Sequence, residues 1–159
     1  MKQAILLTVV LALVGGACAP GQSEAPKAGA TPTVGSTMSP IIEPYLKIQS
    51  ALANDSTEGI RQNAGDIATA ATALGAPAFK IDTAAAQLTS AGELDDARAK
   101  FGALSEALDT YMTGLHLEPP DEVRVAFCPM ENKPWMQKGG AIQNPYYGSK
   151  MIDCGDFRK

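Results

Sequence analysis

Four sulfur-bearing side chains lie close together near the C-terminus of this 159-residue chain. Cys128 and Met130 are two residues apart, so in an extended segment their side chains point to the same side. Met151 and Cys154 are three residues apart, a spacing that one turn brings together. Thiolate and thioether sulfur are soft ligands, which favour Cu(I) over Mg²⁺, Ca²⁺ or Mn²⁺. The spacing is therefore compatible with a soft-metal site at these four residues, for which Cu(I) would be the favoured ion.

Three further residues are candidates for the edge of this metal site. Met136 adds another thioether, and the ring of Trp135 beside it offers a face to a bound cation. His116, the single histidine, follows Met112 by four residues and would share a helix face with it. A lone histidine at a helix end is more often a C-terminal cap, and an aromatic residue under a loop more often belongs to the core.

The two cysteines outside the leader have other uses that the residues alone leave open. In an oxidising compartment, a pair of cysteines most often forms a disulfide. A bond between Cys128 and Cys154 would close a long loop, which the chain-entropy model values at about 3–4 kcal/mol of stability. Two free, packed thiols are the third alternative. The metal site and the disulfide can also alternate as reduced and oxidised forms of one protein.

The first 17 residues have the pattern of a bacterial signal peptide. Lys2 supplies a positive charge, and the apolar run from Ala4 to Val14 is too short to span a membrane as a mature helix. Cys18 follows this run and resembles the cysteine of a lipoprotein lipobox, although Gly15 stands where leucine is usual. We therefore expect an exported protein of the periplasm or cell envelope, anchored to a membrane by a lipid on Cys18. An ordinary signal-peptidase cut without lipidation is the alternative.

Residues 18–39 are rich in proline, glycine, serine and threonine and have little apolar surface to bury. Such a composition predicts a flexible linker between the lipid anchor and a folded domain at residues 40–159. The chain carries a net charge of −4, which argues against a nucleic-acid partner. The single histidine has no nucleophile or acid beside it in the sequence, and there is no glycine-rich phosphate loop. We therefore expect no enzymatic activity.

The folded domain is predicted to be mainly α-helical. Apolar residues recur at three- and four-residue steps in four stretches: Tyr45 to Leu52 behind Pro44, Ile60 to Leu74, Ile81 to Leu88, and Leu94 to Leu115. Asp55 with Glu58, and Ser90 with Glu93, have the spacing of capping boxes at helix starts. The short links between stretches favour an antiparallel up-down four-helix bundle.

After Pro120 the pattern changes to that of a strand. Val123, Val125 and Phe127 alternate with other residues, which predicts a short strand that the segment 150–157 could join as a β-like hairpin. The segment 131–150 between them is predicted to be a loop, because Gly139-Gly140 and Asn144-Pro145 break regular structure.

The residues near the C-terminus form one long motif: Cys-Pro-Met, Trp, Asn-Pro-Tyr-Tyr-Gly and Met-x-x-Cys-Gly within residues 127–155. This motif resembles a family of uncharacterised bacterial domains, and the resemblance covers roughly residues 40–155. Members occur as small exported proteins or lipoproteins, and on periplasmic adaptor subunits of heavy-metal efflux pumps, where the domain is taken to bind copper or a related metal. The resemblance implies that Cys128, Met130, Met151 and Cys154 are the ligands, with residues 144–148 forming the turn that presents the last two.

The resemblance favours metal binding over the disulfide and implies a heavy-metal efflux complex or a metallochaperone as partner. One departure is Glu131 with the short stretch ENKP, where the family usually has a small residue and often a longer insert. This departure affects the placement of Trp135 and Met136. The sequence thus predicts an exported copper-binding protein for metal buffering or delivery to efflux. The alternative is a disulfide-stapled structural or interaction module of the cell envelope that binds no metal.

Overall fold

The structure of the protein is a computed structural model, which describes residues 34–159. The predicted signal peptide, Cys18 and most of the predicted linker lie outside the described residues. The described part contains four α-helices and a small three-stranded antiparallel sheet. In chain order the elements are α1 (Val34–Ala53), α2 (Ile60–Leu74), α3 (Phe79–Leu88), α4 (Leu94–Gly114), β1 (Val123–Cys128), β2 (Lys133–Lys138) and β3 (Asp156–Phe157). Among the described helices, none combines the length and apolar character that a membrane crossing requires.

The first helix begins earlier than predicted. It starts at Val34, and Met38 is only 2% exposed, so the last residues of the predicted linker belong to the folded domain. Pro40 and Pro44 lie inside the helix rather than at its start. Each proline removes a backbone donor. The buried side chains that continue the apolar stripe toward the N-terminus offset this cost: Ile41, Ile42, Tyr45, Ile48 and Leu52.

The helical stripes predicted from apolar spacing form the core. Each helix packs on the next one along the chain, and α1 and α4 also pack against β2. Alanine supplies many of the contact positions, which lets the helices approach closely. The buried apolar residues of α2 and α4 are Ile60, Ala64, Ile67, Ala71, Ala97, Phe101, Leu104, Leu108 and Met112.

Neither predicted capping box is formed. Helix α2 is preceded by Gly59 in a left-handed conformation, and α4 by Glu93, and neither makes a side-chain cap. At α4 the carboxylate of Asp96, inside the first turn, accepts the backbone N–H of Gly92 instead. A carboxylate there stabilises a helix start as a cap does, because backbone donors at that end lack helical partners. The Asp55 carboxylate does not cap α2 but accepts hydrogen bonds from Arg98 and Ser149.

The sheet has the strand order β2-β1-β3. Strand β1 pairs with β2 from Val123 opposite Lys138 to Cys128 opposite Lys133, so the loop prediction for 133–138 was wrong. Pro134 is tolerated because β2 is an edge strand, where one missing donor does not interrupt a ladder. The predicted pairing of the chain end with β1 is present, but it is limited to the two residues of β3.

The side chain of Arg98 joins three parts of the chain and is only 7% exposed. Its Nη2 donates to the carbonyl of Leu52 at 3.1 Å and to Oδ1 of Asp55 at 2.5 Å. Its Nε donates to the carbonyl of Pro145 at 3.1 Å. Since an unpaired buried charge is strongly destabilising, these bonds fix the end of α1, the following loop and the C-terminal segment around α4.

Gly148 lies directly against this ion pair. Its φ is +54°, and a Cβ atom there would overlap Oδ1 of Asp55 and Nη2 of Arg98. The next residue, Ser149, donates its backbone N–H to both carboxylate oxygens of Asp55, at 3.4 and 3.3 Å. Only glycine fits between the C-terminal turn and the ion pair.

We expect Gly148→Ala to destabilise the domain by about 3 kcal/mol or more, because it combines a strained φ with displacement of the partner of a buried guanidinium. The measurement is the urea midpoint of unfolding. Gly65→Ala is the matched control: Gly65 lies inside α2 with open space around it, so alanine there should stabilise by about 0.5–1 kcal/mol. Equal midpoints for the two variants would contradict this account.

Asp55 should make the stability of the domain sensitive to acid. Hydrogen bonds from Ser149 and Arg98 lower the pKa of Asp55. A carboxylate whose pKa is lowered by folding contributes stability above its unfolded pKa of about 4, and this stability is lost as the pH falls through the folded value. Asp55→Asn should therefore lower the urea midpoint at pH 7, and its difference from wild type should shrink below about pH 4. Asp121→Asn, at an exposed position before β1, is the control; a difference for Asp55→Asn that stays constant with pH would contradict the assignment.

Candidate metal centre

The structure brings the two cysteines together. Cys128 is the last residue of β1 and is fully buried, whereas Cys154, two residues before β3, is partly exposed. Because Phe127 lies opposite Asp156 in the β1–β3 pair, the end of β1 meets the residues just before β3. The amide of Asn144 bonds both residues, and both thiols are free. The fold therefore brings the two cysteines to the same end of the sheet.

The surroundings of Cys154 favour its neutral thiol. Burial raises the pKa of Cys154, and the Cys128 side chain and the carboxylates of Asp153 and Asp156 raise the pKa further. A bound cation would reverse this effect, since coordination deprotonates a thiol. An ion that binds to the pair would therefore displace protons from it.

Asn144 links the two cysteines. Its side chain is fully buried, and its Nδ2 donates to Sγ of Cys128 at 3.3 Å and to the backbone carbonyl of Cys154 at 2.7 Å. Its Oδ1 accepts the backbone N–H groups of Tyr146 at 2.8 Å and Tyr147 at 3.3 Å. Sequence reasoning placed Asn144 in a turn but missed its contact with sulfur. The available signal was the Asn-Pro pair, because an asparagine whose oxygen caps a turn keeps its amide N–H groups for other partners.

The predicted turn of residues 144–148 is present. The N–H of Gly148 donates to the carbonyl of Asn144 at 3.1 Å, and the N–H of Asn144 donates to the carbonyl of Ile152 at 2.7 Å. One turn later, the N–H of Cys154 donates to the carbonyl of Met151 at 3.1 Å. Met151 therefore shares a turn with Cys154, as their spacing predicted, and its side chain is partly buried.

Met130 is placed differently from the prediction. Strand β1 ends at Cys128, and residues 129–132 form the turn that leads into β2. The rule that residues two apart share a side holds only within a strand, so it does not apply to Cys128 and Met130. The Met130 side chain is 64% exposed at the tip of this hairpin.

Trp135 and Met136 belong to the core. The Trp135 ring is almost fully buried, lies edge-on to Tyr146 with 6.0 Å between ring centroids, and packs over Gly155. It is therefore a support beneath the segment that carries Cys154 rather than a cover for an ion. Met136 follows it in the strand, so its buried side chain lies on the other face of the sheet.

His116 lies away from the cysteines. Lys133 lies opposite Cys128 in the β1–β2 pair, and its side chain packs against Gly102 of α4. Helix α4 continues from there to Gly114. At 1.5 Å per residue, the end of the helix is about 18 Å further along its axis. His116 follows that end, exposed, with φ of +53°. It is therefore not part of a site with the cysteines.

The donors at this centre are predominantly sulfur. Within residues 34–159, no three side chains of histidine, cysteine, aspartate or glutamate gather in a group that could hold a metal ion. A metal at this position would depend on the two thiols with thioether or backbone help, a donor set that suits a soft ion and not zinc or magnesium.

The chain was compared with models of protein families, with curated proteins and with solved structures, and none of the three comparisons gave a match. The resemblance based on the C-terminal motif therefore stays a prediction.

Proposed function

We propose that this protein binds a soft metal ion, with Cu(I) favoured, at Cys128 and Cys154. The observation that carries the proposal is that the amide of Asn144 bonds both Sγ of Cys128 and the backbone of Cys154, which brings two free cysteines together at the end of β1. Cu(I) is a soft ion that needs only a few ligands, and two adjacent sulfurs meet this need without a third acidic or histidine donor. The partial exposure of Cys154 gives an ion a path to the buried sulfur of Cys128.

The two methionines are proposed as additional ligands. Met151 shares a turn with Cys154, and the exposed side chain of Met130 extends from the hairpin that begins directly after Cys128. A thioether has no proton to lose, so it remains a ligand at any pH. Met151 is the nearer of the two in the backbone arrangement, and Met130 would need to fold back over the hairpin.

The proposed role is to buffer copper outside the cytoplasm or to hand it to an efflux system. A heavy-metal efflux complex or a metallochaperone is the proposed partner, and the protein is neither an enzyme nor a nucleic-acid binder in this proposal. The four helices are proposed to form an antiparallel up-down bundle that carries the site. The packing of each helix on the next supports this arrangement.

The second candidate is a disulfide-stapled interaction module of the cell envelope that binds no metal. The same closeness of Cys128 and Cys154 favours it, because neighbouring thiols in an oxidising compartment readily form a disulfide. The metal-binding function requires both cysteines as reduced thiols in the cell, whereas the interaction module requires them as a disulfide.

Anaerobic titration of the reduced protein with Cu(I), in competition with a chelator, should give a single tightly bound ion per chain. The Cys128→Ser, Cys154→Ser double variant should lose this binding, because serine oxygen is a hard ligand. Met136→Leu is the control, since this thioether lies in the core on the other face of the sheet. Binding that survives the double variant would remove the assigned site.

Two further arms of this experiment separate the alternatives. Met151→Leu and Met130→Leu should each weaken Cu(I) binding if the thioethers are ligands, while Met136→Leu leaves it unchanged. A thiol count on protein taken directly from the cell envelope, before any reductant is added, tests the staple. Two free thiols would exclude the disulfide module, and none would favour it.

The anchor is tested separately because Cys18 lies outside the described residues. Intact mass of the purified protein should show a diacylglycerol group on an N-terminal Cys18, and Cys18→Ala should release the protein from the membrane fraction. A cleaved but unmodified N-terminus in the wild-type protein would contradict lipidation.

A further inference from the structure

We infer that Asn144 is a positioning residue that tunes the sulfur pair, because its amide donates to the sulfur of Cys128 and holds the backbone of Cys154 against it. This inference concerns the site of the proposed function and in part rests on it. It also makes a claim about the pair without metal, so the two can be tested apart.

The hydrogen bonds of Asn144 define the orientation of its amide. The oxygen Oδ1 already accepts two backbone N–H groups, from Tyr146 and Tyr147, so the nitrogen must face the cysteines. One side of Nδ2 meets Sγ of Cys128 and the other meets the carbonyl of Cys154. Since the side chain is fully buried, water does not compete for these bonds.

A donor in this position favours one chemical state of the sulfur over others. An N–H group bonds more strongly to a sulfur that carries negative charge, as in a thiolate or a metal thiolate, than to the neutral sulfur of a disulfide. Outer-shell donors of this kind usually change metal affinity by about 10–100-fold when they are removed. Asn144 should therefore stabilise the thiolate and metal-bound forms of the pair relative to the disulfide.

The most informative variant is Asn144→Asp. It keeps the oxygen that accepts from Tyr146 and Tyr147, but it replaces the amide donor by a carboxylate oxygen beside Sγ of Cys128 and the carbonyl of Cys154. Beside a thiolate or a metal thiolate, both contacts change from attraction to repulsion. A neutral thiol would instead donate its S–H to the carboxylate, so the pair is tested in its ionised form. The turn keeps its own hydrogen bonds, so the variant addresses the sulfur pair more than the fold.

The metal-free test is equilibration with a glutathione redox buffer at a pH alkaline enough to ionise the thiols. In this reaction the protein dithiolate and one glutathione disulfide give a protein disulfide and two glutathione thiolates, so two electrons are exchanged in balance. For Asn144→Asp we expect the equilibrium constant to move at least tenfold toward the protein disulfide, which is a potential about 30 mV more negative. Asn63→Asp, the same change at a partly exposed site in α2, should leave the constant unchanged.

The metal test uses Cu(I) with the same two variants. Asn144→Asp should bind Cu(I) at least tenfold more weakly than wild type, and Asn63→Asp should bind as wild type does. If wild type binds no Cu(I) but the glutathione constant shifts in Asn144→Asp, the metal function fails and the role of Asn144 stands. If wild type binds Cu(I) and Asn144→Asp leaves both quantities unchanged, the role of Asn144 is overturned.

A measurement on the wild-type protein covers the case in which Asn144→Asp does not fold, which a urea or thermal unfolding curve would reveal. In ¹⁵N-labelled protein, the two Nδ2 protons of Asn144 should respond unequally when the pair is oxidised. The proton that faces Sγ of Cys128 should shift strongly, while the proton that faces the carbonyl of Cys154 shifts little. Equal small shifts, like those of the Asn63 amide, would overturn the inference.

Discussion

The buried guanidinium of Arg98 is the constraint on which the position of the candidate site depends. It takes its partners from the end of α1, from Asp55 and from Pro145, so the helices and the C-terminal segment cannot move apart without breaking its hydrogen bonds. Pro145 directly follows Asn144, which in turn holds Cys128 and Cys154. A short covalent and hydrogen-bonded path therefore connects the helical core with the sulfur pair.

A chain of aromatic rings supports the same segment from the other side. Tyr45 of α1 lies 4.9 Å from Phe101 of α4, Phe101 lies 6.1 Å from Tyr146, and Tyr146 lies 6.0 Å from Trp135 of β2, measured between ring centroids. Burial raises the pKa values of Tyr45 and Tyr146, so both hydroxyls stay neutral and can act as donors and acceptors. Tyr45 accepts the N–H of Met136 at 3.2 Å, which satisfies an edge donor of β2. The base of the site is therefore formed by packed rings and a buried hydrogen bond of the core itself.

The features that the sequence predicted correctly follow from local residue spacing. The features that it missed depend on partners far away in the chain. The stripes of α2, α3 and α4 follow from apolar residues three and four apart. Asp55 has the local appearance of a helix cap, but its main partner, Arg98, is 43 residues away, and no local pattern indicates such a pair. Strand β2 escaped prediction because Gln137 is buried through its own hydrogen bonds, which breaks the apolar pattern of a strand. The closeness of the two cysteines was predicted, whereas the amide that connects them was not.

The two cysteines differ in how firmly the fold holds them, and this difference bears on how an ion would enter and leave. Cys128 ends a strand that is paired on both sides and bonded to Asn144, so its sulfur has a fixed position. Cys154 precedes a strand of only two residues, and elements with so few pairs open locally at low free energy. In the proposed metal site, Cys154 would therefore bind first and release last during exchange with a partner, because it is the sulfur that can reach outward. If the proposed function holds, the site would combine a more fixed sulfur with a more movable one, an arrangement that transfer of an ion needs and that a purely structural staple does not.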